Sequence, residues 1–201
     1  MSEQPGPKAP RWAWWVATGF GSGRLRPAPG TWGSLAACLA WALILALTAT
    51  PFSTWALSHG SQPRSAILGL ALEAFLLALP IAMTWVAVRA SDRVVEETRQ
   101  KDPSYIVADE WAGQWIALWP LRWLLAQNLF RLGRPEGWKI LVLMALPFGL
   151  FRLLDIWKPW PCHEIQGLPG GHGVVADDVV AGLYAIPLVL VLHPLLEALL
   201  R

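Results

Sequence analysis

Five apolar stretches, at about Ser34–Thr50, Ser65–Val88, Ala112–Phe130, Trp138–Trp157 and Val179–Leu200, leave this chain few architectures to choose from. Each is close to the roughly 20 residues that a helix needs to cross a bilayer. In hydrocarbon every backbone N–H and C=O must be bonded within the protein, so only helices and closed barrels survive there. No stretch alternates with the period of two that a barrel strand requires. The pattern predicts an all-α, polytopic helical membrane protein with about five membrane helices. It forms a single domain over residues 1–201, with residues 1–10 a polar, Pro-rich disordered tail and no signal peptide. Composition agrees: 55% of residues are hydrophobic, only 15% are charged, and 14 are Trp, a balance foreign to soluble domains.

The net charge is +2 and the sequence carries no basic run, so nucleic acid is excluded as a partner. Cys38 and Cys162 have no second cysteine at metal-ligand spacing, which argues against both a zinc site and a disulfide framework.

Between the spans the chain is punctuated in a readable way. Arg11 to Ala17, rich in Trp, is too short to cross and belongs at the water–lipid interface. Gly19 to Gly33 carries five Gly and two Pro, reads as a loop, and places Arg24 and Arg26 where they can meet an anion. Thr31 or Ser34 then caps the first span. Glu73 lies inside the second, where an acid is either functional or reaching for headgroups. Arg89 to Lys101 reads as a solvated helical extension without chemistry. Pro80, Pro120, Pro147, Pro187 and Pro194 interrupt the apolar segments, and Lys158, standing before Pro159, ends the fourth. With the tail in the cytoplasm, ten of the sixteen Lys and Arg fall on the cytoplasmic side. Five crossings also bring the Gly-rich loop, the Asp109/Glu110 turn and residues 152–178 to that same face.

The acids there invite chemistry. Asp109, Glu110, Asp177 and Asp178 stand at predicted helix starts, where a single aspartate is an ordinary cap. Asp155 lies near a helix C-terminus, where the dipole disfavours an anion, and capping does not need two adjacent acids twice. Oxygen ligands drawn from several helices suit a hard cation such as Mg²⁺. Arg152 and Lys158 each lie three residues from Asp155. They read either as a local salt bridge or as a phosphate clamp, a fork and a point charge. His163 and His172 are further acid–base candidates in the loop.

Three blocks of sequence, GFGSGRLRPAPGTWGSLAA, DPSYIVADEWAG (Asp102 to Gly113), and FRLLDIWKPWP followed by GGHGVVADDVVAG, together resemble the phosphatidylglycerophosphatase A family of bacterial inner-membrane lipid phosphatases. They cover about a third of the chain, in order. The resemblance implies Mg²⁺-dependent hydrolysis of the phosphomonoester of phosphatidylglycerophosphate, a lipid substrate taken from the membrane. It also implies a site facing the cytoplasm. By motif, the functional positions carried over are Asp109, Glu110, Asp155, Lys158, Asp177 and Asp178, with Arg152 in support. Ala108 stands where the family is associated with an aromatic residue, and Glu73 belongs to none of the motifs.

The resulting expectation assigns Asp109, Asp155, Lys158 and Asp178 to catalysis. It assigns Asp109, Glu110, Asp155, Asp177 and Asp178 to the metal, and Arg152, Lys158 and Arg24 to the substrate phosphate. The rival reading is a small cation transporter, which would need acids near the bilayer midplane, where only Glu73 lies.

Overall fold

A computed structural model describes residues 7–49, 51–52, 55–56, 63–124 and 137–199, and among them every regular element is helical. The elements are α1 (Arg11–Ala17), a 3₁₀ turn (Gly19–Arg24), α2 (Pro29–Leu47), α3 (Pro63–Thr98), α4 (Ala108–Leu118), α5 (Gly137–Trp157), the single turn α6 (Cys162–Ile165) and α7 (Gly170–Leu199). Three of the described helices, α2, α3 and α7, are long and apolar enough to cross a membrane. Their outer faces expose Leu39, Leu43, Leu70, Ile81, Trp85 and Val191, a surface suited to lipid rather than water. The end of the predicted third span, including Gln127, and the basic connector at Arg131 and Arg134 lie outside the described residues.

Several boundaries differ from those the sequence predicts. The first span begins at Pro29, not at Thr31 or Ser34, because proline at the first helical position is pre-set for helix and its missing N–H is not needed there. Ala28 supplies the turn into it in a left-handed conformation, φ 58°, and Ser34 donates instead to Gly30 O within the helix, at 3.0 Å. The second span and its charged extension form one helix of 36 residues. That extension is more than solvated surface. Asp92 accepts the Gly171 N–H at 2.5 Å. Glu97 accepts the Ala9 N–H at 2.8 Å and Trp14 Nε1–H at 2.9 Å, which pins α1. Glu73 forms an ion pair with Arg122.

α4 and α7 form the centre of the bundle. α7 packs on α3, α4 and α5, while α4 also packs on α2 and α3. Apolar helices gain little from the hydrophobic effect in lipid, so close backbone approach and cross-helix hydrogen bonds must hold them. Both are present. Gly113 and Gly182 sit at the α4–α7 crossing, where a methyl on either would overlap the opposite backbone, at Asp178 O and Gly113 O respectively. Buried Ala117, Ala181 and Ala185 continue the small-residue contact. Trp115 Nε1–H donates to Ala37 O at 3.0 Å, tying α4 to α2, and its ring lies 5.6 Å from that of Trp41. α4 is only 11 residues long, beginning at Ala108 and ending before Pro120, and it is buried on nearly every side. α7 begins at Gly170, nine residues before the predicted Val179.

Candidate active site

That early start of α7 changes what Asp177 and Asp178 are. They lie in the third turn of the helix and are buried at 4% and 3% exposure, so neither caps an exposed end. Asp109 and Glu110 occupy the first turn of α4, whose capping position, Val107, offers no side-chain bond. The α4–α7 crossing at Gly113 sets the two acidic pairs beside each other. One oxygen each from Asp109, Glu110 and Asp178 lies within 4.8 Å of the others.

The basic groups come from the end of α5. Arg152 Nη1 meets Asp155 Oδ2 at 2.6 Å, one turn along the helix, and stands 3.7 Å from Glu110 Oε1 and 3.5 Å from Ser34 Oγ. It therefore bridges three helices. The helix ends at Trp157, as the following proline dictates. Lys158 closes it in the left-handed region, φ 49°, with its N–H on Leu154 O at 2.7 Å. A residue with a Cβ is disfavoured in that conformation by about 1–2 kcal/mol. The turn carries Lys158 away from Asp155, the partner that sequence spacing suggests, and onto Asp177, with Nζ 2.6 Å from Oδ2. Gln166 Nε2–H donates to the same oxygen at 2.6 Å.

These groups line a cavity of about 460 Å³, closed by Pro29 and Gly30 of α2 and by Lys101, Asp102 and Ser104 of the loop before α4. Gly30 leaves room there for the Glu110 carboxylate, which a methyl at that position would have to displace. Five of the six acids that line the cavity divide by partner. Asp155 is matched by Arg152 and Asp177 by Lys158, while Asp109, Glu110 and Asp178 crowd together. Asp109 Oδ1, Glu110 Oε2, Asp177 Oδ1 and Asp178 Oδ2 are buried with no hydrogen-bond partner in the protein.

Burial, followed by the charge of Glu110, pushes the Asp109 carboxyl well above the usual range. Burial likewise raises Glu110 to about 8, although Asp109 and Arg152 oppose the rise. Burial alone would lower Lys158, yet the hydrogen bond it donates to Asp177 and the charges of the surrounding acids outweigh it and hold the ammonium charged. Three crowded carboxylates, each with an oxygen that is buried and finds no hydrogen-bond partner in the protein, are a donor set for a hard divalent cation, which would supply the missing charge. The residues fit the metal that the sequence pattern implies.

Not every expected residue reaches the cavity. Arg24 lines a separate recess with Arg11, because the chain reverses at Phe20 (φ 55°) and Gly21 (φ 95°) before α2 begins. His163 is exposed, and His172 faces the groove between α3 and α7. That groove, about 880 Å³, is larger than the acidic cavity but mostly apolar, with Arg89, Asp92 and His172 as its ionisable lining residues. Gln166 escaped the sequence reading, as a loop glutamine carries no periodicity or motif to mark it.

Comparison with known proteins places these features in context. The family profile described as Phosphatidylglycerophosphatase A matches residues 15–193. A Bacteroides thetaiotaomicron protein named "Putative phosphatidylinositol-3-phosphatase" is 33% identical over 88% of this chain and 90% of its own. Proteins named phosphatidylglycerophosphatase A from Escherichia coli and Haemophilus influenzae are 31% and 28% identical, over 84% and 85% of this chain and 76% and 82% of theirs. No solved structure matches.

Proposed function

The chain belongs to the phosphatidylglycerophosphatase A family, and we propose that it removes the phosphate monoester of phosphatidylglycerophosphate, releasing phosphatidylglycerol and inorganic phosphate with Mg²⁺ as cofactor. It is a lipid phosphatase. The observation that carries the reading is the cavity in which three carboxylates lie within 4.8 Å of one another, next to two cations that each have an acid of their own.

A divalent cation held by Asp109, Glu110 and Asp178 would neutralise phosphoryl oxygens and lower the pKa of water in the cavity. Arg152 offers a planar fork to the phosphate, and Asp155 keeps that fork oriented. Lys158, aimed by Asp177 and supported by Gln166, offers a point charge as the bond from phosphorus to the glycerol oxygen breaks. The lipid tails stay in the bilayer. The pairing of Glu73 with Arg122 leaves no unpaired midplane acid among the described spans, which favours an enzyme over a cation transporter.

The test is phosphate release by purified protein from phosphatidylglycerophosphate, with phosphatidylinositol 3-phosphate as the competing substrate suggested by the Bacteroides relative's name. Activity should vanish with chelator, return with Mg²⁺ and be poorly supported by Ca²⁺, whose looser shell suits this compact donor set less well. Full turnover in excess chelator would remove the metal from the mechanism. Absence of phosphate release from either lipid in Mg²⁺ would remove the substrate assignment.

The proposal includes five crossings of a bacterial inner membrane, with the acidic cavity on the cytoplasmic face. The excess of Lys and Arg on that side supports it. In a background lacking Cys38 and Cys162, Arg64→Cys should react with an impermeant maleimide added to intact cells, and Leu168→Cys only after lysis. Labelling of Leu168→Cys in intact cells would invert the orientation.

A further inference from the structure

Arg24, which the sequence places in the Gly-rich stretch where it can meet an anion, lies outside the acidic cavity. α1 is locked on α3 through Glu97, which accepts bonds from Ala9 N–H and Trp14 Nε1–H, and Trp14 stacks on Tyr105 at 5.7 Å. The helix therefore cannot roll, and it presents Trp12 and Trp15 outward, 48% and 62% exposed.

The chain then reverses through three successive left-handed residues, Gly19, Phe20 and Gly21. Phe20 holds a conformation that side chains disfavour, and its half-exposed ring sits edge-on against Trp111 at 5.3 Å. The reversal returns Arg24 to the side of Arg11. The two exposed guanidinium groups share a recess of about 340 Å³ with Trp14, Trp15, Thr18 and Phe20. Neither arginine forms an ion pair with any described acid.

Position along the chain and chemistry agree on an occupant. Arg24 lies five residues before Pro29, where a membrane-spanning helix begins, so the recess sits at headgroup depth. Trp rings exposed beside guanidinium groups are the signature of the water–lipid interface. Juxtamembrane arginines attract anionic lipid, and a guanidinium fork matches the geometry of phosphate oxygens. We propose that Arg11 and Arg24 form a site for the phosphate of an anionic phospholipid of the bilayer, separate from the catalytic cavity, with Trp15 and Phe20 resting against its glycerol and upper acyl region.

The test uses detergent-purified full-length protein titrated with phosphatidylserine, an anionic lipid that is neither substrate nor product of the proposed reaction, or with phosphatidylcholine of equal chain length, the bound lipid being counted by native mass spectrometry. Phosphatidylserine should bind the parent about tenfold or more tightly than phosphatidylcholine, as expected for two juxtamembrane arginines. The double variant R11Q/R24Q should lose that preference, and R11K/R24K, which keeps charge but not the fork, should retain part of it. Equal binding of the two lipids by the parent, or an unchanged preference in R11Q/R24Q, would overturn the site. So would a preference transferred intact to an acidic peptide added in competition, which would assign the recess to a protein partner. Both arginines are exposed, so an unaltered thermal unfolding temperature is expected for both variants. Binding is read without turnover, so failure of the catalytic reading leaves this experiment decisive.

Discussion

Asp178→Asn is expected to lower kcat by about 10³-fold in protein that still inserts and folds, the scale seen when a preorganised electrostatic group is lost from a catalytic site. The substitution keeps volume and removes one charge from the crowded trio, whose oxygens lie within 4.8 Å of one another. Asp178 is 3% exposed, and its backbone carbonyl lies in the α4–α7 crossing against Gly113, so the side chain cannot swing out to be replaced by water. A second readout separates metal loss from misfolding. Mg²⁺ should raise the unfolding temperature of the parent, because a ligand that binds only the folded state stabilises it. In Asp178→Asn that rise should disappear, while stability in chelator stays level or improves as repulsion among the acids is relieved. Turnover within about threefold of the parent at saturating Mg²⁺, together with an intact thermal shift, would exclude Asp178 from the metal site.

Lys158→Met should cost about 100-fold in kcat, and its partner in a double-mutant cycle should be Asp177. Were the lysine only a surface ion pair, its loss would change stability by about 1 kcal/mol at most and spare turnover. The geometry favours a larger effect: Asp177 is nearly fully buried, Lys158 adopts a disfavoured backbone conformation, and Gln166 shares the same carboxylate oxygen. Asp177→Asn alone should cost roughly tenfold by loosening the lysine, and almost nothing more once Lys158 is already Met. Asp155→Asn acts through Arg152, a different pair, so its loss of about 100-fold should multiply with that of Lys158→Met rather than overlap. Coupling of Lys158 to Asp155 instead of Asp177 would mean that the bond seen here is not the one used in the reaction.

Much of this was legible along the chain. Long apolar runs admit only helices in lipid, the proline after Lys158 ends α5 where the sequence predicts, and the three motif blocks contribute to one cavity. These are local properties: hydropathy over a turn or two, a missing N–H, a ring that bars the preceding residue from helix.

What the chain order could not reveal was partnership. Spacing of three residues offers Asp155 equally to Arg152 and Lys158, and only the left-handed turn at Lys158 gives the arginine to Asp155 and the lysine to Asp177. The start of α7 at Gly170, which turns Asp177 and Asp178 from caps into buried side chains, depends on packing against α3, where Gly171 N–H finds Asp92. Arg122 pairs with Glu73 from a distant segment, and the reversal at Phe20 carries Arg24 away from the acidic cavity. The partner is often supplied by a segment far away in sequence: Asp177 for Lys158, Asp92 for Gly171 and Arg122 for Glu73. Local pattern specifies which helices form; which side chains meet is decided by how closely those helices can pack.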